Sequence, residues 1–394
     1  MSDSTSYPSH LVIACGGTGG HLFPGVAVGG VWLQRGGEVT LVVSEKEIDQ
    51  VALQGESRFR VARLPALGSG QGSWFRLLSG LWASGARCRS MFRERPPQAV
   101  LAMGGFTSLA PILAGRRVGA GLFLHDSNAI PGRANRWLSL LTDEAFVGFE
   151  QAGRRLRTAQ VHRTGTPVRP EFVRPVSASP ARLALGLDPS RPVLLAMGGS
   201  QGAHGVNEAV LKSLPALLAA WPEVQFLHLT GRADFAAVNS RYQEFSAKAV
   251  VLPYLAEMHL ALAAADLAVS RAGGSSLAEF AAMQLPAVLL PLPTAADDHQ
   301  TANAQAVSAA RAGIWLPQRQ ALDGRLAEVV LSLGRDSEKL RQMKTRLAEM
   351  HVVDAARRIA DRMAAHLQLS APRGAAGGSS SRPAANVFCA PSST

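Results

Sequence analysis

Two short apolar runs that end in glycine-rich turns restrict this chain to a few architectures. The first run, HLVIA at residues 10–14, is rich in β-branched residues, and the glycines of residues 16–20 follow it directly. Such a run is typical of a strand buried on both faces of a parallel sheet. A helical pattern at 26–34 and a strand at 39–43 complete a βαβ unit, with Pro24 expected in the first helical turn.

The same pattern returns in the second half of the chain. The run VLLAM at 193–197 is followed by a glycine-rich turn at 198–202 and a helical stretch at 206–218. Further strand-like runs lie at 99–103, 121–125, 224–229, 267–270 and 288–290. The alternation predicts an α/β protein with two open parallel sheets, whose carboxyl edges carry the glycine-rich turns and face a ligand cleft.

Length and punctuation indicate two domains. The chain has 394 residues, and a glycine with two prolines interrupts the pattern at 164–170. We expect a first domain at 10–164, a second at 165–344, and a closing helical stretch at 341–367 whose part from about 345 returns to the first domain. The Ala, Gly, Ser and Pro content of 368–394 predicts a disordered tail.

Composition excludes several classes of protein. Three widely spaced cysteines indicate a reduced, cytoplasmic setting. The amino end lacks a signal-peptide pattern, and no apolar run is long enough to span a bilayer. The net charge of +11 favours an anionic partner, although a generally basic proteome explains it equally well. Nucleic acid is disfavoured, because no recognition motif is visible.

Polar motifs follow four of the predicted strands. GGFTS at 104–108 and HDSN at 125–128 lie in the first half, and SRAGGSSLAE at 270–279 and DDHQTAN at 297–303 lie in the second. A single glycine turn or strand-end histidine is usually structural when taken alone. Together they predict one anion and sugar site, because strand carboxyl ends collect ligands in open sheets. Asp297 and Asp298 fit an acidic helix N-terminus better than a metal site.

The ordered set of motifs resembles the MurG family of peptidoglycan glycosyltransferases over residues 10–365. The matching segments are GGTGGH at 16–21, FPG at 23–25, NAIPGRANRW at 128–137, GTPVR at 165–169, GGSQGA at 198–203, SRAGGSSLAEF at 270–280 and DHQTANA at 298–304. The resemblance implies a GT-B architecture, which is two Rossmann-like domains facing a cleft. It also implies transfer of N-acetylglucosamine from UDP-GlcNAc to lipid I, forming lipid II.

The resemblance also implies which residues contact the donor. They are Thr18, Gly19, Gly20, Asn128, Arg169, Ser200, Leu255, Gly274, Ser275, Ser276, Leu277, Ala278, Glu279 and Gln300. Among them, Glu279 would hold the ribose, Ser200 a phosphate oxygen, Gln300 the sugar, and the Leu255 backbone the uracil. The chain departs from the family's usual pattern at three places. Asp126-Ser127 stands where the family commonly has Glu-Gln. Thr166 stands in place of Asn, and His299 in place of Gln.

The histidine of the first glycine-rich turn is the candidate base. Inverting transfer needs a group that accepts the proton of the incoming hydroxyl, and the ordinary pKa of histidine suits this task. We expect His21 to accept the proton of the muramyl 4-hydroxyl; capping of the turn is its structural alternative. Backbone N–H groups near Ser200 and Gly274 would stabilise the leaving UDP, so the mechanism requires no metal or cofactor.

A lipid-linked acceptor requires a membrane-facing surface. The segment 67–92 places Trp74, Phe75 and Trp82 among arginines, which is typical of a helix lying on anionic lipid. Burial of this helix in the first domain is the alternative. The expected location is therefore the cytoplasmic face of the cell membrane, peripherally bound, with other cell-wall synthesis proteins as further partners.

Two other classes of function remain open from the residues. Another GT-B enzyme that uses a UDP-sugar, such as a natural-product glycosyltransferase or a UDP-GlcNAc epimerase, would share the cleft. A non-catalytic subunit that binds a nucleotide sugar is the second class, and the presence of His21, Ser200, Glu279 and Gln300 argues against it.

Overall fold

The computed structural model describes residues 10–16, 19–45, 57–65, 74–174, 176–199 and 202–370. Thr18, Ser200 and the tail from residue 371 lie outside these ranges. Among the described residues, no helix is both long and apolar enough to cross a bilayer.

The first half forms a parallel sheet of seven strands in the order β3-β2-β1-β4-β5-β6-β7. The strands are β1 His10–Ala14, β2 Glu38–Ser44, β3 Arg60–Leu64, β4 Ala99–Ala102, β5 Gly121–Asp126, β6 Glu144–Val147 and β7 Gln160–Arg163. The helices are α1 Gly19–Gln34, α2 Trp74–Glu94, α3 Leu109–Arg117, α4 Arg133–Leu138 and α5 Glu150–Gly153. Leu11, Val12 and Ile13 of β1 are fully buried, as expected for a strand covered on both faces.

The second half forms a parallel sheet of six strands in the order β10-β9-β8-β11-β12-β13. The strands are β8 Val193–Met197, β9 Gln225–Leu229, β10 Ala249–Leu252, β11 Leu267–Ser270, β12 Ala287–Leu289 and β13 Ile314–Trp315. The helices are α6 Ala178–Ala184, α7 His204–Ala220, α8 Phe235–Glu244, α9 Met258–Ala264, α10 Gly274–Met283, α11 His299–Ala309, α12 Gln318–Gln320, α13 Leu326–Gly334, α14 Ser337–Met350 and α15 Ala355–Ser370. The prediction of two parallel α/β sheets is confirmed.

Strand order changes direction once in each sheet, between β1 and β4 and between β8 and β11. Open parallel sheets bind ligands at the carboxyl ends of the strands beside such a point. Of the described glycines, Gly16, Gly19, Gly104 and Gly105 lie beside the first switch point, and Gly198, Gly199, Gly273 and Gly274 lie beside the second.

Two helix predictions were wrong. Helix α1 begins at Gly19, so Pro24 lies inside it and not in the first turn. The stretch at 341–367 is two helices, because the chain breaks at 351–354 and crosses there to the first domain. Val352 packs at this break against Gly165, where a Cβ would come within 2.6 Å of the Val352 Cβ. Helix α15 continues through residues 368–370, which were assigned to the tail.

Helix α15 is part of the first domain's core although it comes last in the chain. Ile359, Ala360 and Met363 are fully buried with strands β1, β4 and β5. The buried carboxylate of Glu144 on β6 accepts hydrogen bonds from Arg362 Nε at 2.7 Å and His366 Nδ1 at 2.8 Å. The charge pairing is consistent with a fixed position for the helix, because a buried carboxylate requires such partners.

Candidate active site between the two domains

The space beside the first glycine turn is filled by the His21 imidazole. Gly104 and Gly105 follow β4 with φ of +122° and +76°, a region that favours glycine. A Cβ on Gly104 would lie 2.8 Å from His21 Nε2, closer than any real contact. Gly104 and Gly105, in the loop after β4, therefore make room for the imidazole of His21 at the start of α1.

The end of strand β5 holds two buried ionisable groups. His125 is fully buried and its Nε2 lies 3.2 Å from the carbonyl oxygen of Gly165. Burial lowers the pKa of His125 to about 4, so the ring is neutral at physiological pH. Asp126 accepts hydrogen bonds from the backbone N–H groups of Asn128 and Gly132 and from Asn135 Nδ2, at 2.8, 3.1 and 2.7 Å.

These contacts give Asp126 a shaping role in the loop between β5 and α4. Burial raises the pKa of its carboxyl, while the hydrogen bonds from Asn128, Asn135 and Gly132 lower it. Asp126, although shorter than the Glu common in the family, therefore still organises the loop that carries Asn128.

Asn303 of helix α11 joins the two domains through a fully buried amide. Its Oδ1 accepts from the Ala129 N–H at 2.7 Å. Its Nδ2 donates to Asn128 Oδ1 at 3.0 Å and to the Ala272 carbonyl at 2.9 Å. The sequence placed Asn303 in a motif but gave it no role, because a cross-domain partner has no local signal.

Pro24 creates a second contact across the cleft. A proline has no N–H, so the carbonyl four residues earlier, that of Gly20, loses its helical donor. Ser275 Oγ, from the N-terminal turn of α10, donates to that carbonyl at 2.9 Å. The domains also touch at Gly274, where a Cβ would come within 2.4 Å of the Ser127 carbonyl oxygen.

Arg169, from the linker, lies between two aromatic rings. Its guanidinium carbon is 4.3 Å from the centre of the Phe23 ring of α1 and 4.8 Å from that of Phe172. Glu171 pairs with its Nη1 at 3.2 Å, while Nε is buried with no hydrogen-bond partner among the described residues. The guanidinium is therefore mostly desolvated where it lies between Phe23 and Phe172, which strengthens its electrostatic interactions.

Glu279 is a half-buried carboxyl on helix α10, beside Arg169. Burial raises its pKa to about 7, and the charge of Arg169 opposes that shift. Near neutral pH the side chain is divided between a hydrogen-bond donor form and an acceptor form. A pKa raised in this way is typical of carboxyl groups at catalytic and binding sites.

The other predicted donor residues lie at the same cleft edge or on loops near it. Gln300 Oε1 accepts from the Leu292 N–H at 3.0 Å, which fixes its amide at the start of α11. Leu255 is half-buried in the loop after β10. Gly19 precedes Gly20 in the first turn of α1, and Ser276, Leu277 and Ala278 continue α10 from Ser275.

The two acidic residues before α11 differ in their surroundings. Asp297 accepts from Arg133 Nε at 2.8 Å and pairs with Arg136 Nη2 at 2.5 Å, both on α4 of the first domain. The hydrogen bond from Arg133 lowers the pKa of Asp297. Asp298 is the residue before α11 and makes no capping hydrogen bond. The described residues contain no cluster of side chains able to hold a metal ion.

The fold and cleft together define a glycosyltransferase of the GT-B type: two Rossmann-like domains, with glycine-rich turns and a helix N-terminus facing one cleft. A model of the glycosyltransferase family 28 N-terminal domain matches residues 11–147, and one of the family 28 C-terminal domain matches residues 193–359. The chain therefore belongs to glycosyltransferase family 28, and its full-length relatives place it in the MurG branch.

Those relatives match almost end to end. The UDP-N-acetylglucosamine--N-acetylmuramyl-(pentapeptide) pyrophosphoryl-undecaprenol N-acetylglucosamine transferase of Pelobacter propionicus is 36% identical, covering 89% of this chain and 98% of that protein. The protein of that name from Geotalea uraniireducens is 34% identical, covering 90% and 97%. The crystal structure of Acinetobacter baumannii MurG shares the fold, with a TM-score of 0.70 at 24% identity over 90% of this chain and 99% of that one.

Replacement of Asn303 by alanine tests the interdomain amide. Asn303→Ala leaves Ala129 N–H, Asn128 Oδ1 and the Ala272 carbonyl without a partner. We expect the free energy of unfolding to fall by about 1–3 kcal/mol, the cost of unsatisfied buried polar groups. Urea unfolding measures it, with Gln305→Ala, an exposed change on the same helix, as control. Equal stability of the two variants would contradict the role.

Proposed function

We propose that this chain transfers N-acetylglucosamine from UDP-GlcNAc to the 4-hydroxyl of the muramyl sugar of lipid I, with inversion, forming lipid II. The observation that carries the proposal is the position of His21 directly after Gly20, whose carbonyl is bound by Ser275. The candidate base thus follows, in the sequence, the residue that contacts the first turn of α10. A helix N-terminus is suited to binding a diphosphate. The names of the full-length relatives support this donor and acceptor.

The proposed reaction divides between the two domains. On the first, His21 accepts the proton of the attacking hydroxyl. On the second, the N–H groups at the start of α10 and the guanidinium of Arg169 stabilise the charge that develops on the leaving UDP. Ser200 and the backbone around it would contribute to the same anion site. Glu279 would hold the ribose, Gln300 the sugar, and the Leu255 backbone the uracil.

A purified-protein assay tests the function against its closest rivals. We expect release of UDP from UDP-GlcNAc only when a short-chain lipid I analogue is supplied. An epimerase would act on the donor without this acceptor, and a non-catalytic subunit would release no UDP under either condition. UDP-GlcNAc should also be preferred over other UDP-sugars in a donor screen.

His21→Ala tests the proposed base in the same assay. We expect kcat to fall by about 10²–10⁴-fold, the usual contribution of a general base. The dissociation constant of UDP-GlcNAc, measured by calorimetry, should stay unchanged because the donor's polar contacts are elsewhere. Gln305→Ala, an exposed change on α11, is the control. Near-normal turnover of the His21 variant at saturating substrates would contradict its role as the base and favour a structural role in capping the turn.

The pKa of Glu279 predicts how donor binding depends on pH. Two ribose hydroxyls donate to the ionised carboxylate, and with a pKa of about 7 that form is scarce below neutrality. The dissociation constant of UDP-GlcNAc should therefore rise roughly tenfold from pH 8 to pH 6. The donor's diesterified diphosphate does not titrate in this range. Glu279→Gln should bind more weakly at pH 8 with a flat profile, and an unchanged pH slope would refute the assignment.

We further propose that α2 binds the cytoplasmic face of the cell membrane peripherally. Trp82 is 73% exposed and Arg87 is also exposed, whereas Cys88 and Phe92 of the same helix are fully buried. Trp74 and Phe75 begin the helix, and their side chains lie outside the described part. An amphipathic helix with aromatic anchors and arginines suits an anionic bilayer. Roles in cell shape and division would follow from the lipid II product, alongside other cell-wall synthesis proteins.

Vesicle binding tests this surface. Replacing Trp74, Phe75 and Trp82 by serine should reduce co-sedimentation with anionic phospholipid vesicles, because the apolar anchors are lost. Leu183→Ser removes an exposed apolar side chain, 63% exposed, from the second domain and should have no effect. Equal co-sedimentation of both variants would exclude α2 as the membrane contact.

A further inference from the structure

An apolar groove lies on the first domain between the loop after β4 and helix α4. It encloses about 370 Å³, and its wall is formed by side chains that include Phe106, Leu109, Trp137, Leu140 and Leu141. Three of these are notably exposed, with Phe106 at 61%, Trp137 at 70% and Leu140 at 49%. Contiguous exposed apolar surface of this kind usually marks a binding site, whereas single exposed apolar residues are ordinary.

The groove is lined by residues of the same two loops that carry the candidate active site. Phe106 directly follows Gly104 and Gly105, the two glycines packed against His21. On the opposite wall, Ala134 precedes Asn135, which donates to Asp126 in the cleft. A molecule whose reacting sugar lies at His21 would therefore have the groove next to it.

The far side of the groove combines apolar surface with positive charge. Leu140 and Leu141 also line a second, more polar cavity of about 950 Å³ that extends to Arg116 and Val118. Arg116 and Arg117 are exposed at the end of α3, the helix whose first residue, Leu109, lines the groove. Arginines beyond an apolar groove suit the anionic headgroups of the bilayer from which a hydrocarbon chain would enter it.

We propose that this groove binds the first isoprene units of the acceptor's polyprenyl chain. The inference rests on the proposed function and adds a lipid subsite to it. An apolar cavity of about 150 Å³ binds a ring of six carbons. On that scale the groove holds on the order of ten to fifteen carbons, which is two or three isoprene units. A bilayer surface fits it less well, because the groove is concave while Trp82 projects from a separate helix.

Acceptor analogues with different chains test the groove without any membrane. We compare lipid I analogues that carry one or three isoprene units, as monomers in vesicle-free buffer, and measure kcat/KM by UDP release. The unaltered protein should prefer the longer chain by at least about tenfold, since burying as few as two methylenes gives that factor. Trp137→Ser/Leu140→Ser should lose most of this preference, because activity on the three-unit analogue should fall much further than activity on the one-unit analogue. Both side chains are substantially exposed, so the core stays intact.

Leu183→Ser and Trp82→Ser are the matched controls and should retain the chain preference. A double variant with undiminished preference would overturn the proposal. So would a double variant that loses only co-sedimentation with vesicles, since the face would then contact bilayer lipid. Absence of turnover by the unaltered protein with either analogue would instead refute the proposed function, so the two failures are distinguishable.

Discussion

The buried amide of Asn303 is the contact on which the geometry of the cleft depends. It binds the loop after β5 from one domain and the loop after β11 from the other, at the point where both sheets present their strand ends. The neighbouring contacts, Ser275 with Gly20 and Asp297 with Arg133, are also polar. Hydrogen bonds of this kind fix the relative direction of the groups that they join. Polar interdomain contacts of this kind are compatible with opening and closing around a ligand.

Positions without a side chain allow close approaches that the site requires. Gly104 leaves the volume that His21 Nε2 occupies, and Gly274 leaves the volume of the Ser127 carbonyl. Pro24 acts similarly by omission, because its missing N–H frees the Gly20 carbonyl for Ser275. The cleft is thus assembled from positions where a backbone or a ring can approach more closely than ordinary residues allow.

The electrostatics of the cleft favour anions from both sides. Arg169 is held by the rings of Phe23 and Phe172, and the N-terminus of α10 points into the same space. The carboxyl of Glu279 is nearby, but burial raises its pKa to about 7 and so reduces the negative charge it brings. A diphosphate would therefore meet reduced opposing charge from Glu279, while Glu171 remains paired with Arg169. Arg116 and Arg117 add positive charge at the exposed end of α3.

The sequence by itself determined the two parallel sheets, their glycine-rich turns, and the family, because period, turn chemistry and motif order are local properties. Strands at 193–197 and 267–270 match the structure residue for residue. Tertiary structure alone decided that Pro24 lies within α1, that the chain breaks at 351–354, and that Asn303, Asp297 and Phe23 reach across the cleft. The reason is physical: these features depend on partners more than a hundred residues away, and nothing in a neighbouring stretch of sequence encodes the distance between two packed domains.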